Sequence, residues 1–186
     1  MTVTIFCEST NLYLREAQLS DSRLIAKWKN DKFIRAMSVG LDTEINEQNQ
    51  ESDIRKSLEA EQPYLIITKK DVNKPIGYVR LNWMDNTTYF GWLRFGLGEE
   101  RGKGYAKEAL QSFLQRTFVN GTKRIDAEVY EFNEISLKLL KSLGFTHEGT
   151  RRKAYYSNEQ FFDVFTLGLL DCDTNNNAIK TNENHN

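Results

Sequence analysis

The hydrophobic period of the chain changes at a glycine-rich turn near its middle. Before this turn, residues 64–97 contain three runs with the spacing of β-strands, separated by turns at 71–74 and 85–86. After it, apolar residues recur every three or four positions from 105 to 118, which indicates an amphipathic helix. Strands joined by short turns are antiparallel, so the sequence predicts an antiparallel meander that leads directly into a helix.

Further strands and helices are predicted on both sides of this central region. A strand is predicted at 11–16, followed by two helices. After the central helix come a strand at 125–130, a short helix that ends at Gly144, and a hairpin of two strands turning within 155–161. The expected fold is α+β: a mixed, mainly antiparallel central sheet of about seven strands, flanked by about four helices, with a β-α-β crossover in the middle.

The length of 186 residues suits one domain, which we place at residues 8–171. Residues 173–186 are rich in asparagine and almost free of apolar side chains. Such a segment buries too little surface to offset the entropy of ordering, so it is predicted to be a disordered tail.

The charge balance excludes a strongly basic or acidic protein. There are 25 Lys and Arg and 26 Asp and Glu residues, giving a net charge of −1. This leaves no global attraction for nucleic acid or for an anionic membrane, and neither is expected as a partner. The N-terminus lacks the basic start of a secretory signal, and no apolar stretch has the length of a membrane span. We therefore expect a cytoplasmic protein.

The cysteines and histidines do not form a recognisable metal site. Cys7 and Cys172 lie near opposite ends of the chain. The two histidines, His147 and His185, are not at metal-ligand spacing from each other or from the cysteines. Reduced, incidental thiols and no metal are therefore expected, although a carboxylate site for Mg²⁺ stays open.

The turn at 98–104 is the clearest candidate binding site. It joins a strand to the first turn of a helix, where N–H groups lack partners and the helix carries a partial positive charge. Gly102 and Gly104 allow close approach of a ligand, and Arg101 and Lys103 add positive charge. This pattern favours phosphate binding, and the alternative is a tight turn with exposed charges. Neither a P-loop nor a dinucleotide fingerprint is present, since Lys107 occupies the position of the third small residue.

Four segments resemble the GNAT N-acetyltransferases, and in particular their RimJ/RimL-type branch. Residues 101–106, Arg-Gly-Lys-Gly-Tyr-Ala, resemble the acetyl-CoA pyrophosphate loop of that family. Residues 128–136 and 143–151 follow at similar spacing, and residues 12–31 resemble the opening of the branch.

The resemblance implies a GNAT fold with a splayed central strand pair and acetyl-CoA as cosubstrate. Pantetheine would lie along the first of these strands at Phe95, Gly96 and Leu97, where a main-chain N–H polarises the thioester carbonyl. The turn is one residue shorter than usual in the branch, which leaves the identity of that donor open. The pyrophosphate would be held by main-chain N–H groups of Arg101, Gly102, Lys103, Gly104, Tyr105 and Ala106.

The resemblance also implies roles for three residues in the second half. Asn133 corresponds to an asparagine that contacts pantetheine, and the alternative is an N-cap of the next helix. Glu128 corresponds to a general base acting through water, and the alternative is an exposed charge on a strand face shared with Asp126 and Tyr130. Ser136 would contact the cofactor and donate to the leaving thiolate, and the alternative is a helix-surface serine.

The general acid of many GNAT enzymes has no counterpart in this sequence. The tyrosine that serves as general acid in many GNAT enzymes is replaced by Leu140, so Tyr155 or Tyr156 are further candidate donors. The same replacement motivates the alternative of a non-catalytic acyl-CoA-binding module.

The acceptor amine is expected to be a protein N-terminal α-amine, with a polyamine, amino sugar or aminoglycoside as the alternative. The protein would act as a monomer or homodimer. Between residues 42 and 53 there are acids and no basic residue, which would attract a cationic amine or form a solvated helix face. Aromatic and apolar residues of the first half would line the acceptor site or belong to the core; they are Trp28, Phe33, Met37, Trp83 and Tyr89.

Overall fold

The computed structural model describes residues 3–38 and 44–173, and in these ranges the chain forms eight strands and six helices. The predicted tail from residue 174 onward and Asp42 lie outside the described residues. The strands are β1 (Ile5–Glu8), β2 (Leu12–Glu16), β3 (Tyr64–Lys69), β4 (Lys74–Trp83), β5 (Phe90–Leu97), β6 (Arg124–Tyr130), β7 (Thr146–Ser157) and β8 (Gln160–Leu170). The helices are a 3-10 helix (Leu19–Asp21), α1 (Ser22–Lys29), α2 (Lys32–Met37), α3 (Glu47–Glu59), α4 (Tyr105–Val119) and α5 (Glu134–Ser142).

The predicted fold class is confirmed: the protein is α+β with a mixed, mainly antiparallel sheet. The prediction undercounted its elements, because β1 and α2 are too short to show a period. The N-terminus of α2 is stabilised instead by Asp31, whose carboxylate accepts hydrogen bonds from the N–H groups of Phe33 and Ile34. Local capping therefore fixes a helix that hydrophobic spacing does not reveal.

The first of two compact units comprises Met1–Asn82 and Leu93–Thr117. Within it, β2 pairs antiparallel with β1 and with β3, and β3 pairs antiparallel with β4. Every residue of β3 from Tyr64 to Thr68 is buried, as expected of a strand covered on both faces. The core on one face contains Ile25 and Trp28 of α1, Ile54 of α3, and Tyr64 and Ile66 of β3.

The second unit comprises Trp83–Trp92 and Phe118–Asn186. The first three residues of β5 pair in parallel with the first three of β6, from Phe90↔Arg124 to Trp92↔Asp126. Strand β6 pairs antiparallel with β8 along its whole length, and β8 pairs antiparallel with β7. The final hairpin turns at Asn158 and Glu159, both with positive φ, within the predicted segment. The parallel pair with α4 between its strands is the predicted β-α-β crossover.

No helix in the described ranges combines the length and apolar character needed to span a bilayer. Cys7 and Cys172 are free cysteines, and the Cys7 thiol lies 3.7 Å from the hydroxyl of Ser112.

The carboxylate of Glu108, in the first turn of α4, ties that helix to the turn between β1 and β2. Its Oε1 accepts hydrogen bonds from the Ser9 hydroxyl at 2.8 Å and the Asn11 N–H at 2.7 Å, and Oε2 accepts from the Asn11 amide at 3.1 Å. Desolvation raises the pKa of Glu108, but the hydrogen bonds from Asn11 and Ser9 outweigh it and lower the pKa overall. The fold therefore stabilises the ionised carboxylate.

Replacing Glu108 with Gln should lower the free energy of unfolding by about 0.5–1 kcal/mol at pH 7, since a charged acceptor binds donors more strongly but solvent weakens the effect. Because its folded-state pKa is depressed, the contribution is present above the ordinary value of 4.5 and is lost as the pH falls through the folded-state pKa. Thermal unfolding of both proteins at pH 7 and pH 3 checks this. The gap should narrow at pH 3, whereas a constant gap would contradict the assignment. Lys107→Gln, at an exposed neighbour, is the control.

Candidate active site

The turn between β5 and α4 adopts a backbone that only glycine accommodates easily at two positions. Gly102 and Gly104 have φ of +77° and +83°, in the left-handed region that side chains rarely occupy. A Cβ built on either residue meets nothing within 4 Å. Glycine is therefore required by the backbone angle, and open space lies beside both residues, as a ligand that approaches the main chain would need.

The side chain of Arg101 stabilises this turn by donating hydrogen bonds to its main chain. Its Nε donates to the carbonyl of Leu97 at 2.9 Å, and one terminal nitrogen donates to the carbonyl of Gly98 at 2.9 Å and to Asp31 at 2.8 Å. The guanidinium also lies 4.9 Å from the centre of the Phe33 ring. The expectation that this side chain adds charge for an anion is therefore revised, because its donors are directed to the turn itself.

Asp31, the partner of Arg101, is held in its ionised form. Desolvation raises the pKa of Asp31, but the N–H of Ile34 and the guanidinium of Arg101 outweigh it and lower the pKa overall. The same carboxylate caps α2. One acid therefore connects the start of α2 to the turn after β5.

Lys103 is on the surface of the turn. Its ammonium pairs with Glu100 at 2.6 Å, and its side chain is 60% exposed. Because both groups are near solvent, this pair contributes little stability and leaves the ammonium mobile. Among the basic side chains of the turn, Lys103 is better placed than Arg101 to meet an anion.

The N-terminus of α4 provides main-chain donors. The first intrahelical bond in this turn runs from the N–H of Glu108 to the carbonyl of Gly104 at 3.1 Å. The N–H groups of Tyr105, Ala106 and Lys107 precede that bond and belong to the first turn, where helical geometry supplies no acceptor. Together with the helix dipole, they form the kind of end that binds phosphate.

Strand β5, where pantetheine was predicted to lie, is closely approached by an aromatic ring. Phe95, Gly96 and Leu97 are half-buried. A Cβ built on Gly96 would lie 2.7 Å from a ring carbon of Tyr78 and 3.0 Å from its hydroxyl oxygen. The Tyr78 ring can therefore lie across the main chain of Gly96 only because that residue has no side chain.

In the second unit, β6 shows the predicted alternation. Ile125, Ala127 and Val129 are buried, while Asp126, Glu128 and Tyr130 are half-buried on the other face. The Oε1 of Glu128 accepts a hydrogen bond from Arg151 at 2.7 Å. The face shared by the three polar residues is confirmed, and a catalytic role for Glu128 stays a prediction.

Asn133 caps α5. Its side-chain oxygen accepts a hydrogen bond from the N–H of Ser136 at 3.1 Å, as the capping alternative predicted. Ser136 is half-buried in the first turn of α5, so its hydroxyl lies in the same turn as the cap. Contact of either residue with the cofactor stays a prediction. Leu140 is 1% exposed and belongs to the core.

The two tyrosines offered as proton donors have different surroundings. Tyr155 belongs to an aromatic cluster, with ring centres 5.2 Å from Tyr130 and 6.4 Å from Phe132. Tyr156 is more than half exposed and packs against Phe161 at 4.8 Å. Tyr155 is therefore the more fixed of the two.

The residues predicted to line an acceptor site divide between core and surface. Trp28 is buried in the core of the first unit, whereas Phe33 and Tyr89 are exposed. Met37 and Trp83 are half-buried. Two of them lie beside the turn after β5: Phe33 through the guanidinium of Arg101, and Trp28 through the main chain of Gly98.

The acids on α3 do not form a uniformly solvated face. Glu51 bonds to Arg55 at 2.8 Å, and Asp53 bonds to Arg80 at 2.7 Å with Lys29 at 3.7 Å. The second grouping could not be predicted from local patterns, because its members lie on separate elements. In the described part of the chain, no three His, Cys, Asp or Glu side chains gather as metal ligands would.

The chain is similar in sequence to known acetyltransferases. A family model described as an acetyltransferase (GNAT) domain matches residues 11–146. The uncharacterized N-acetyltransferase p20 of Bacillus licheniformis is 28% identical over 172 residues, covering 90% of this chain and 96% of its own.

Two solved structures share the fold. One is a chimera of the spermidine N-acetyltransferase SpeG of Vibrio cholerae and hSSAT, with a TM-score of 0.80, 19% identity and coverage of 90% of this chain and 99% of that one. The other is RimL, a ribosomal-protein α-N-acetyltransferase in complex with coenzyme A, with a TM-score of 0.79, 19% identity and coverage of 89% and 97%.

Proposed function

The chain belongs to the GNAT acetyltransferase family, and on that basis we propose that it moves the acetyl group of acetyl-CoA to a primary amine by direct attack in a ternary complex. The observation that carries the proposal is the turn after β5, where two left-handed glycines open space before the first N–H groups of α4. Its enzyme class, an N-acetyltransferase, is that of its relatives. We further infer the RimJ/RimL-type branch from the four resembling segments.

The main-chain N–H groups from Arg101 to Ala106 are proposed to hold the pyrophosphate of CoA. Phosphate oxygens need several donors that converge, and a helix N-terminus supplies them without a large net charge. The guanidinium of Arg101 contributes by fixing the shape of the turn. No metal is needed in this arrangement.

Pantetheine is proposed to run along Phe95, Gly96 and Leu97, with Asn133 and Ser136 as further contacts. Acetyl-CoA supplies an activated thioester, and a main-chain N–H of this part of β5 would polarise its carbonyl. Holding amine and thioester together contributes much of the rate, since effective molarities reach about 10⁵ M or more.

Proton transfer is assigned to Glu128 and Ser136. The attacking nitrogen must be neutral, and Glu128 would accept its proton through water. Because Arg151 binds Oε1 of Glu128, the base function falls to Oε2. Ser136 would donate a hydrogen bond to the departing thiolate. A protein N-terminal α-amine has an ordinary pKa of about 7.7–8.0 and needs little help from a base, so we propose it as the acceptor.

The acceptor class is tested by incubation with acetyl-CoA and a panel of N-terminal peptides, polyamines and amino sugars, with products identified by mass spectrometry. We expect acetylation at peptide α-amines. Preference for the small amines would favour the alternative acceptor class. Absence of thiol release with every amine would contradict the enzymatic proposal.

Gly104→Val should weaken CoA binding about tenfold or more, because a β-branched residue at φ of +83° costs about 1–3 kcal/mol and shifts the main-chain donors. Gly121→Val is the matched control, since Gly121 also has a positive φ, of +105°, and open space, but lies outside the turn after β5. Calorimetric titration with CoA distinguishes them. Equal affinities for the two variants would place the phosphates elsewhere.

Glu128→Gln and Ser136→Ala should each lower kcat by about 10²-fold without abolishing activity, since positioned proton transfer contributes typically 10²–10⁴-fold. The affinity of Glu128→Gln for CoA should stay that of the wild type. Glu134→Gln is the control and should retain the full rate, because Glu134 is exposed and pairs only with exposed Lys138 among the ion pairs of the same helix. Unchanged kcat in either variant would remove that residue from the mechanism.

A further inference from the structure

Five side chains of the first unit form a cluster with more positive than negative charge: Lys29 of α1, Asp53 of α3, Tyr64 of β3, and Tyr78 and Arg80 of β4. We refer to them as the cationic cluster. One terminal nitrogen of Arg80 lies 2.7 and 2.8 Å from the two oxygens of Asp53, and the Lys29 ammonium lies 3.7 Å from Oδ2.

Aromatic rings fix the two cations in place. The Lys29 ammonium lies 5.9 and 5.4 Å from the ring centres of Tyr64 and Tyr78, and the Arg80 guanidinium lies 5.3 Å from that of Tyr64. The hydroxyl of Tyr64 in turn accepts a hydrogen bond from the Gln50 amide at 3.0 Å. The cations are therefore preorganised, which lowers the entropic cost of binding a ligand.

The charges within the cluster do not cancel. Two cations face one carboxylate, and Arg94 of β5 adds positive potential. Burial lowers the pKa of Lys29, Asp53 opposes this, and Arg80 and Arg94 lower it further. The Nε of Arg80 is buried and has no hydrogen-bond partner in the part of the protein that the structure describes. Partly buried cations with incomplete pairing are unfavourable, and an added anion would relieve them.

The cluster is partly exposed to solvent and adjoins the strand proposed to carry pantetheine. The side chains of Lys29, Arg80 and Asp53 are 17%, 15% and 32% exposed. The Tyr78 ring lies with its centre 5.4 Å from the Lys29 ammonium and also lies against the main chain of Gly96 of β5. An anion bound by Lys29 and Arg80 would therefore lie close to the proposed position of the pantetheine arm.

We propose that the cationic cluster binds a carboxylate of the acceptor, so that the enzyme selects amines with an anionic group near the reacting nitrogen. This inference rests on the proposed N-acetyltransferase function and names the acceptor more closely. In peptides and amino acids, a carboxylate is the anionic group found near an α-amine. Polyamines would be repelled by the same surplus of positive charge.

Paired acceptors test this selectivity. One pair is a Ser-Glu and a Ser-Gln peptide, both amidated at the C-terminus, and the other is the dipeptide Ala-Ala and its amide. The first pair places the carboxylate on a side chain and the second on the chain terminus. We expect the wild type to have a kcat/KM about tenfold or more higher for the anionic member of at least one pair, as a charge-assisted hydrogen bond would give.

Variants then assign the preference to the cluster. Lys29→Met and Arg80→Met should abolish the preference while leaving turnover of the neutral members measurable, and Asp53→Asn should strengthen it because a competing carboxylate is removed. Lys56→Met, an exposed neighbour on α3, should behave as the wild type. If the cluster had a merely structural role, the variants would lower kcat/KM equally for both members of a pair, and Asp53→Asn would not strengthen the preference for the anionic member.

A binding measurement separates this inference from the proposed function. Calorimetry with the N-acetylated form of each acceptor, in the presence of CoA, requires no turnover. An anionic advantage in wild-type binding that Lys29→Met and Arg80→Met remove, with no acetylation of any amine, would overturn the proposed function and support the carboxylate site. Equal binding of both members of each pair, or preference for the neutral member or spermidine, would overturn the carboxylate site whatever the activity.

Discussion

The end of β5 depends on a contact between the Trp28 ring and the main chain of Gly98. A Cβ on Gly98 would lie 2.1 Å from a ring carbon of Trp28, so no other residue fits without displacing a buried core side chain. The turn that follows is then held by Arg101, through Asp31 on one side and two carbonyls on the other. The N-terminus of α4 is fixed in turn by Glu108. Main-chain donors can bind an anion well only when they are held in place in this way.

The charged side chains have partners that their positions in the sequence did not indicate. The acids between residues 42 and 53 suggested either attraction for a cationic amine or a solvated helix face, yet Asp53 is paired with Arg80 and Lys29 and lies in a region of excess positive charge. A count of charges along a segment therefore does not give the sign of the charge around Asp53. The two basic side chains of the turn after β5 also differ in their surroundings. The guanidinium of Arg101 donates hydrogen bonds to the turn itself, while the ammonium of Lys103 faces solvent.

Much of the fold could be read from local patterns. The period of 105–118 and the buried run at 64–68 predicted α4 and β3, and turn residues predicted the hairpin at 155–161. The turn at 98–104 was also recognised, because glycine at left-handed positions is a local requirement of the backbone. Elements without a period, β1 and α2, were missed, since pairing with β2 and capping by Asp31 stabilise them.

The class of fold, the glycine turn and the resemblance to acetyltransferases follow from the sequence alone, because each depends on residues close together in the chain. The partners of the charged side chains depend instead on the tertiary structure. Lys29, Asp53 and Arg80 are brought together by the packing of α1 and α3 against the sheet and by the register of β3 and β4. No local pattern encodes such a grouping, since the distance between two side chains on separate elements is set by the whole fold.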